Sequence, residues 1–237
     1  MFELATRRGW AVINPLRGVE RPRGGSADPD IRYLTMEEVE AVLRSVPDDE
    51  LGRVERVLYL AAVMTGMRRG ELLGLRWGDI DWEARRIRVR RNYVRGEFGP
   101  PKSRRSSRSV PLTDRLAGEL QCLYDDASFQ ADEDLVFAHP RSRKQGTPLD
   151  GSKVLKRFKG ALRRAGVRDV RFHDLRHTFG TRMAAAGVPM RTLQEWMGHR
   201  DFGTTLVYAD YAPSEREAEW VEEAFAIESG MAVETQV

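Results

Sequence analysis

Arg85-Arg86-Ile87-Arg88-Val89-Arg90-Arg91-Asn92-Tyr93-Val94-Arg95-Gly96-Glu97-Phe98-Gly99, followed after a short gap by Arg108-Ser109-Val110-Pro111-Leu112, is where the sequence changes period. Ile87, Val89 and Val110 alternate with arginines, the two-residue repeat of a strand with one buried face, and Gly96, Gly99, Pro100 and Pro101 interrupt the run. The stretch predicts a small antiparallel sheet of two or three strands. On both sides of it the apolar spacing is helical. Upstream, Thr35-Met36-Glu37-Glu38 is a capping box opening a helix with Val39, Val42 and Leu43 on one side. A second helix covers roughly 54–65, and a short third after Gly66 carries Glu71, Leu72, Leu73 and Leu75. Downstream, helices are expected over 114–124, 151–165, from near His173 to Gly187, from Pro189 to Gly198 and around 204–208. A second capping box, Ser214-Glu215-Arg216-Glu217, opens a last helix with Trp220, Val221, Ala224 and Phe225 on its apolar side. The fold class is mainly α with a small antiparallel β-sheet, α+β.

At the front, residues 2–12 have room for two or three helical turns, too few to stand alone, and the stretch from Asn14-Pro15 to Pro29 is rich in chain breakers. Two parts are expected. Residues 1–29 are a terminal helix plus linker of a preceding domain that is missing or truncated, and residues 30–237 are the main domain.

Charge is distributed unevenly. The whole chain of 237 residues carries +3, yet the window from Arg85 to Arg108 holds ten basic residues against Glu97, a local +9, while residues 214–237 carry −6. A polyanion fits the first region and is repelled by the second. With 41% hydrophobic and 32% charged residues, the composition is that of a globular protein with a sizeable core. One cysteine, Cys122, excludes an intramolecular disulfide and any cysteine-based zinc cluster. No apolar run reaches the roughly 18 residues of a membrane helix, and the N-terminus lacks a signal-peptide order, so the expected location is cytoplasmic and no membrane is involved.

Four scattered elements carry polar residues that packing does not explain. Arg68 lies in the glycine turn Thr65-Gly66-Met67-Arg68-Arg69-Gly70-Glu71, and Lys102 at the tip of the basic hairpin. His173 and Arg176 share a helical face in His173-Asp174-Leu175-Arg176-His177, and Gly198-His199 is followed nine residues later by Tyr208. Two arginines, a lysine, two histidines and a tyrosine suit a phosphodiester. A guanidinium matches two non-bridging oxygens, lysine or histidine can protonate a departing alkoxide, and a tyrosine can attack. Such a site requires no metal or cofactor, and the chain has no phosphate loop for ATP. Each residue also has a plainer reading. Arg68 could be a surface arginine, His173 with His177 a zinc pair (though the glutamate of H-E-x-x-H is absent), His177 a packed or capping histidine, and His199 a helix-dipole cap. Tyr208 and Tyr211 lie three residues apart, and chemistry alone does not choose between them.

Taken together, Thr65 to Leu72 with Leu75, Trp77 and Asp79-Ile80-Asp81, Lys102 before Val110-Pro111-Leu112, His173-x-x-Arg176-His177-Thr178, and Gly198-His199 with Tyr208 closely resemble the catalytic domain of the tyrosine recombinase (phage integrase) family. The resemblance spans roughly 30–213, with Gly9 and Asn14-Pro15 similar to the end of that family's core-binding domain. It implies that Arg68 and Arg176 hold the scissile phosphate with His199 as a further donor, and that Lys102 protonates the 5′-oxygen. By the same resemblance His173 assists proton transfer at the nucleophile, Glu71 orients Arg68, and Tyr208, favoured by its spacing from His199, forms a 3′-phosphotyrosyl intermediate. Arg90, Arg91, Arg104, Arg105 and Arg108 are expected to contact the phosphates of double-stranded DNA. The implied activity is site-specific recombination of duplex DNA by a homotetramer that exchanges its C-terminal helices. A catalytically idle DNA-binding remnant and a type IB topoisomerase-like relaxing enzyme are the rival readings.

Overall fold

Thr35 caps the first helix of the larger unit in the computed structural model, which describes residues 2–17, 19, 31–99, 108–140 and 145–210. The chain divides into two units, Met1–Asp30 and Ile31–Val237. In the first, helix α1 (Phe2–Arg7) buries no residue. In the second, the order is α2 (Met36–Arg44), α3 (Glu50–Thr65), α4 (Arg69–Leu73), a 3-10 turn at Trp77–Asp79, strands β1 (Ile80–Asp81), β2 (Arg86–Val89), β3 (Asn92–Val94), β4 (Glu97–Gly99) and β5 (Arg108–Pro111), then α5 (Asp114–Asp125), α6 (Gly151–Arg164), α7 (Asp174–Ala185), α8 (Met190–Met197) and α9 (Gly203–Asp210). Among the described residues no helix is long and apolar enough to cross a membrane.

The capping box is formed in both directions. Thr35 Oγ1 accepts from the Glu38 amide at 3.2 Å and the Glu38 carboxylate accepts from the Thr35 amide at 2.8 Å. Val39, Val42 and Leu43 are then the buried face of α2. Helix α3 is buried along most of its length, as its long apolar run requires, and the largest apolar cluster forms around it from α2, α5, α6 and the strands. It ends where Gly66 takes φ +62°, a left-handed conformation that costs a glycine little. A β-carbon there would lie 2.5 Å from the Phe179 ring, so the turn also needs glycine for space. The consequence is that Arg68 leaves the turn as the N-cap of α4.

The sheet is more divided than the period-two pattern predicts. Strands β1, β2 and β5 form one antiparallel sheet with Ile80 opposite Ile87 and Ile87 opposite Val110. Strands β3 and β4 form a separate hairpin. The pattern breaks at Arg90 and Arg91 because Arg91 folds back onto the buried Asp79 carboxylate, which ends β2. The hairpin turns through Arg95 and Gly96, both at positive φ, the geometry of a two-residue turn that matches strand twist. Ile87, Val89 and Val110 are all buried, as their alternation predicts.

Residues 127–140 are not legible as helix or strand, yet they are pinned by hydrogen bonds to the chain near Trp77. Trp77 and Gly78 donate to Asp134 and Asp132 carbonyls, Val136 donates to Leu75, and Trp77 Nε1 donates to Phe129 O at 3.1 Å. The C-terminal helix expected from Ser214, with Lys102, Arg104, Arg105 and Tyr211, lies outside the described residues.

Candidate active site

The site grows from the end of α8. Gly198, at φ +62°, stops the helix and leaves its last carbonyls without intrahelical partners. Three arginines from three other elements take them in succession. Arg108 Nε, at the start of β5, donates to Trp196 O, Arg176 Nη2 on α7 donates to Met197 O at 2.5 Å, and Arg68 Nη2 at the head of α4 donates to Gly198 O at 3.2 Å. The negative end of the helix dipole favours these cations, and the carbonyls fix their planes. Arg176 also donates through Nη1 to Gly66 O at 2.5 Å, which ties α7 to the α3–α4 turn.

Glu71, one turn into α4 and 4% exposed, is the counter-charge. Its Oε1 accepts from Arg68 Nη1 at 2.9 Å and Arg108 Nη1 at 3.1 Å, and its Oε2 from the Arg68 amide at 2.8 Å and Arg108 Nη2 at 2.9 Å. Burial works to raise its pKa, but the Arg108 hydrogen bonds and the charges of Arg108 and Arg68 outweigh it and hold the carboxyl at about 2. Three guanidiniums against one carboxylate leave an excess of positive charge. Arg176 is 2% exposed, and burial with the neighbouring Arg68 and Arg108 charges pushes it down to about 9, still cationic at neutral pH. Arg68 differs in being one-third exposed, so part of its fork faces outward.

Tyr208, on α9, is 2% exposed. Its hydroxyl lies 3.0 Å from His177 Nδ1, and its ring stacks on His199 with 6.2 Å between centroids and 11° between planes. The close seat depends on α7. A β-carbon at Gly180 would come within 2.7 Å of the Tyr208 ring. Burial raises the Tyr208 pKa, against the lowering influence of Arg176 and Arg68. His199 is held by Nδ1 to Thr205 Oγ1 at 2.9 Å, and its carbonyl accepts from Gln194. Burial, then the charges of Arg176, Arg68 and Arg108, push its pKa down to about 3. His173, exposed at the surface, meets His177 edge to face at 5.0 Å, and partial desolvation followed by the charges of His177, Arg176 and Arg68 lowers its pKa to about 4. Burial lowers His177 as well, so all three imidazoles are neutral at pH 7.

Arg68, Glu71, His173, Arg176, His199 and Tyr208 thus meet in one cluster, beside a groove of about 440 Å³ whose lining includes Arg86, Arg108, Ser109, Arg191, Trp196 and His199. A second cavity of about 310 Å³, between α3, α5 and the 127–146 segment, holds none of these residues. The phosphate-contact expectations divide. Arg90 is half exposed, 3.8 Å from Asp79, whereas Arg91 is turned inward onto Asp79. Arg108 is 5% exposed, with its fork on Glu71 and its Nε on Trp196 O, so it is held inside the cluster and not in a solvated basic run. His177, read from sequence as a packed or capping residue, is the polar partner of Tyr208, and only its i+4 step from His173 hinted at it. Among the described residues no three His, Cys, Asp or Glu gather to hold a metal ion.

Comparison with known proteins gives the family and the fold. The family model described as "Phage integrase family" matches residues 32–215. The chain is 29% identical over 247 residues to a tyrosine recombinase XerC-like protein of Caldanaerobacter subterraneus subsp. tengcongensis, covering 91% of this chain and 60% of that one. It is 28% identical to the prophage integrase IntR of Escherichia coli (strain K12), covering 89% and 54%. The chain therefore spans little more than half the length of these curated relatives. Among solved structures, XerA recombinase superposes with a TM-score of 0.61 at 23% identity over 86% of this chain and 66% of that one. The Tn1549 transposon integrase in complex with circular intermediate DNA gives 0.63 at 23% identity over 95% and 77%. These likenesses establish the fold.

Proposed function

Because the chain belongs to the phage integrase family, we propose that it is a site-specific DNA recombinase that cuts and rejoins duplex DNA through a 3′-phosphotyrosyl intermediate on Tyr208. The observation that carries the reading is the anchored arginine pair, Arg68 and Arg176, gathered with His199 around a tyrosine whose hydroxyl already has a neutral imidazole as partner.

The scissile phosphate binds between Arg68 and Arg176, where charge-assisted donors stabilise the developing pentacoordinate dianion. His199 adds a neutral donor to the same oxygens. The Tyr208 oxygen attacks phosphorus in line, giving up its proton to the histidine pair, His177 at hydrogen-bond distance and His173 behind it. As the P–O bond to the 5′-oxygen breaks, Lys102 supplies the proton that makes a hydroxyl of it. One ester replaces another, so the phosphotyrosine keeps the bond energy and a 5′-hydroxyl of a partner strand reverses the step. Glu71 keeps Arg68 in place, and Arg90, Arg104 and Arg105 contact the duplex backbone. Residues 1–29 end a core-binding domain, residues 30–237 form the catalytic domain, and four copies act together in the cytoplasm with their C-terminal helices exchanged.

The test is covalent capture. A random-sequence pool of nicked duplexes, from which the short 5′-hydroxyl strand diffuses away after cleavage, should accumulate a detergent-stable protein–DNA adduct in EDTA. Tyr208→Phe should yield none while binding the same pool normally. An adduct from Tyr208→Phe, or a strict need for a divalent metal, overturns the reading.

A further inference from the structure

Arg108 shares the environment of the clamp and, at 5% exposure, resembles the buried Arg176 more than the one-third exposed Arg68. It leaves the first position of β5, opposite Val89 in the sheet, and runs beneath the end of α8. The absence of a side chain at Gly198 leaves it room, since a β-carbon there would lie 3.1 Å from the Arg108 side chain. Its Nη1 and Nη2 form a two-pronged contact with both Glu71 oxygens, at 3.1 and 2.9 Å, and its Nε is committed to Trp196 O. A planar fork is the one cationic side chain that can hold a carboxylate bidentately and a carbonyl at the same time. On the other side of the same carboxylate sits Arg68, bound through its side chain and its amide. Glu71 is therefore a hub between the one-third exposed Arg68 and the nearly buried Arg108, and the α8 terminus is bonded to both arginines.

We propose that Arg108 is a positioning residue of the phosphate clamp, fixing Glu71, and through it Arg68, to the end of α8 that also carries His199, without itself touching DNA. Removing it leaves Glu71 with half its donors and lets the Arg68 fork swing. The two strongest consequences concern geometry at the phosphate and not affinity for the duplex. The catalytic consequence rests on the strand-transfer reading above, but the structural one does not.

Arg108→Gln and Arg108→Lys are the variants, compared with wild type in two assays. In the first, adduct formation on the nicked pool at saturating DNA is measured beside equilibrium binding to an unnicked duplex across a salt series. Arg108→Gln should slow adduct formation by about 10- to 100-fold, the scale of a misplaced transition-state donor, with unchanged affinity and an unchanged salt slope. Arg108→Lys, which keeps the charge and loses the fork, should recover only part of the rate. A phosphate contact behaves oppositely, with the salt slope falling by about 0.9 and the rate at saturating DNA preserved, and that result overturns the proposal. The second assay reads the Glu71 carboxyl by carbon-detected NMR titration without DNA. It should titrate at about 2 in wild type and move up toward the ordinary value of about 4.3 in Arg108→Gln. An unmoved Glu71 in either folded variant contradicts the proposal. Should Arg108→Gln fail to fold, Arg108→Lys carries both readouts. If wild type itself forms no adduct, the strand-transfer reading fails while the Glu71 titration still decides whether Arg108 is the anchor.

Discussion

Residues 31–210 contain two apolar clusters, and they differ in what their aromatic residues do. The larger one surrounds α3 and includes Tyr59, Phe158 and Phe172, which meet edge to face at 5.2 to 6.0 Å and serve packing alone. The smaller one joins α7, α8 and α9 through Phe179, Leu193 and Met197, with Tyr33 and Trp196 packed at its edge, and its other buried aromatic is Tyr208, the nucleophile of the proposed reaction. Leu72 and Leu73 root the clamp helix α4 in the large cluster. Arg176 stands between the two, with Leu175 in the large cluster and Phe179 in the small one. The difference teaches that the groups which must stay fixed, the arginines, are supported by extensive burial. The group that must reach a phosphorus atom rests on a cluster small enough to reseat at modest cost.

Phe158→Ala should therefore have the largest effect on the molecule as a whole, about 3–5 kcal/mol of unfolding free energy, because its ring is fully buried at the centre of the large cluster. Denaturant unfolding measures it, and a loss well below that range would mean that the large cluster is not the main support. Arg176→Ala should reduce adduct formation at least about 100-fold, or roughly 2.7 kcal/mol of transition-state stabilisation. The same change leaves Gly66 O and Met197 O without their donor, so a melting curve belongs beside the rate.

Gly180→Ala separates the two clusters more finely. The added methyl would meet the Tyr208 ring at 2.7 Å, so it should unseat α9 at a cost of about 1–3 kcal/mol. In native-state hydrogen exchange, α9 amides should exchange faster while α3 amides keep their protection. Equal acceleration in both helices would join the clusters into one cooperative unit. The remaining prediction concerns acid sensitivity. His173 and His199 titrate at about 4 and about 3 in the folded protein, below the ordinary histidine value of about 6.5. The unfolded chain then binds protons that the folded one does not, so stability is full above about pH 6.5 and is lost as pH falls from there toward 4 and then 3. For the buried His199 the loss is about 1.4 kcal/mol per pH unit crossed, whereas His173, open to solvent, contributes less. His173→Gln should flatten that slope between pH 6.5 and 4.

What could be read from the sequence follows from how local its cause is. The Thr35 capping box, the apolar face of α2 and the glycine stops at 66 and 198 depend on residues a few positions apart, and the helices appear where those signals place them. The split of the strands does not, because it depends on Arg91 finding Asp79 twelve residues earlier, and no periodicity records that. Segment 127–140 was illegible for the same reason, its hydrogen bonds going to the chain near residue 77. At the site, the gathering of Arg68, Arg176, His199 and Tyr208 was visible only as a joint resemblance, since each alone has a plainer reading. Arg108 was misleading because an arginine in a basic run reads as a solvated phosphate contact. Its burial comes from Glu71 and Trp196, which are distant in sequence. His177 was read as packing because its partner is 31 residues away.

The central claim is that Tyr208 becomes covalently joined to DNA. Digesting the trapped adduct with nuclease and protease and sequencing the nucleotide-bearing peptide by mass spectrometry locates the bond directly. The account predicts a 3′-phosphate ester on Tyr208, in the peptide that follows Arg200 and ends before Ser214. A nucleotide on Tyr211 or on any other residue, or an ester to a 5′-phosphate, would contradict it.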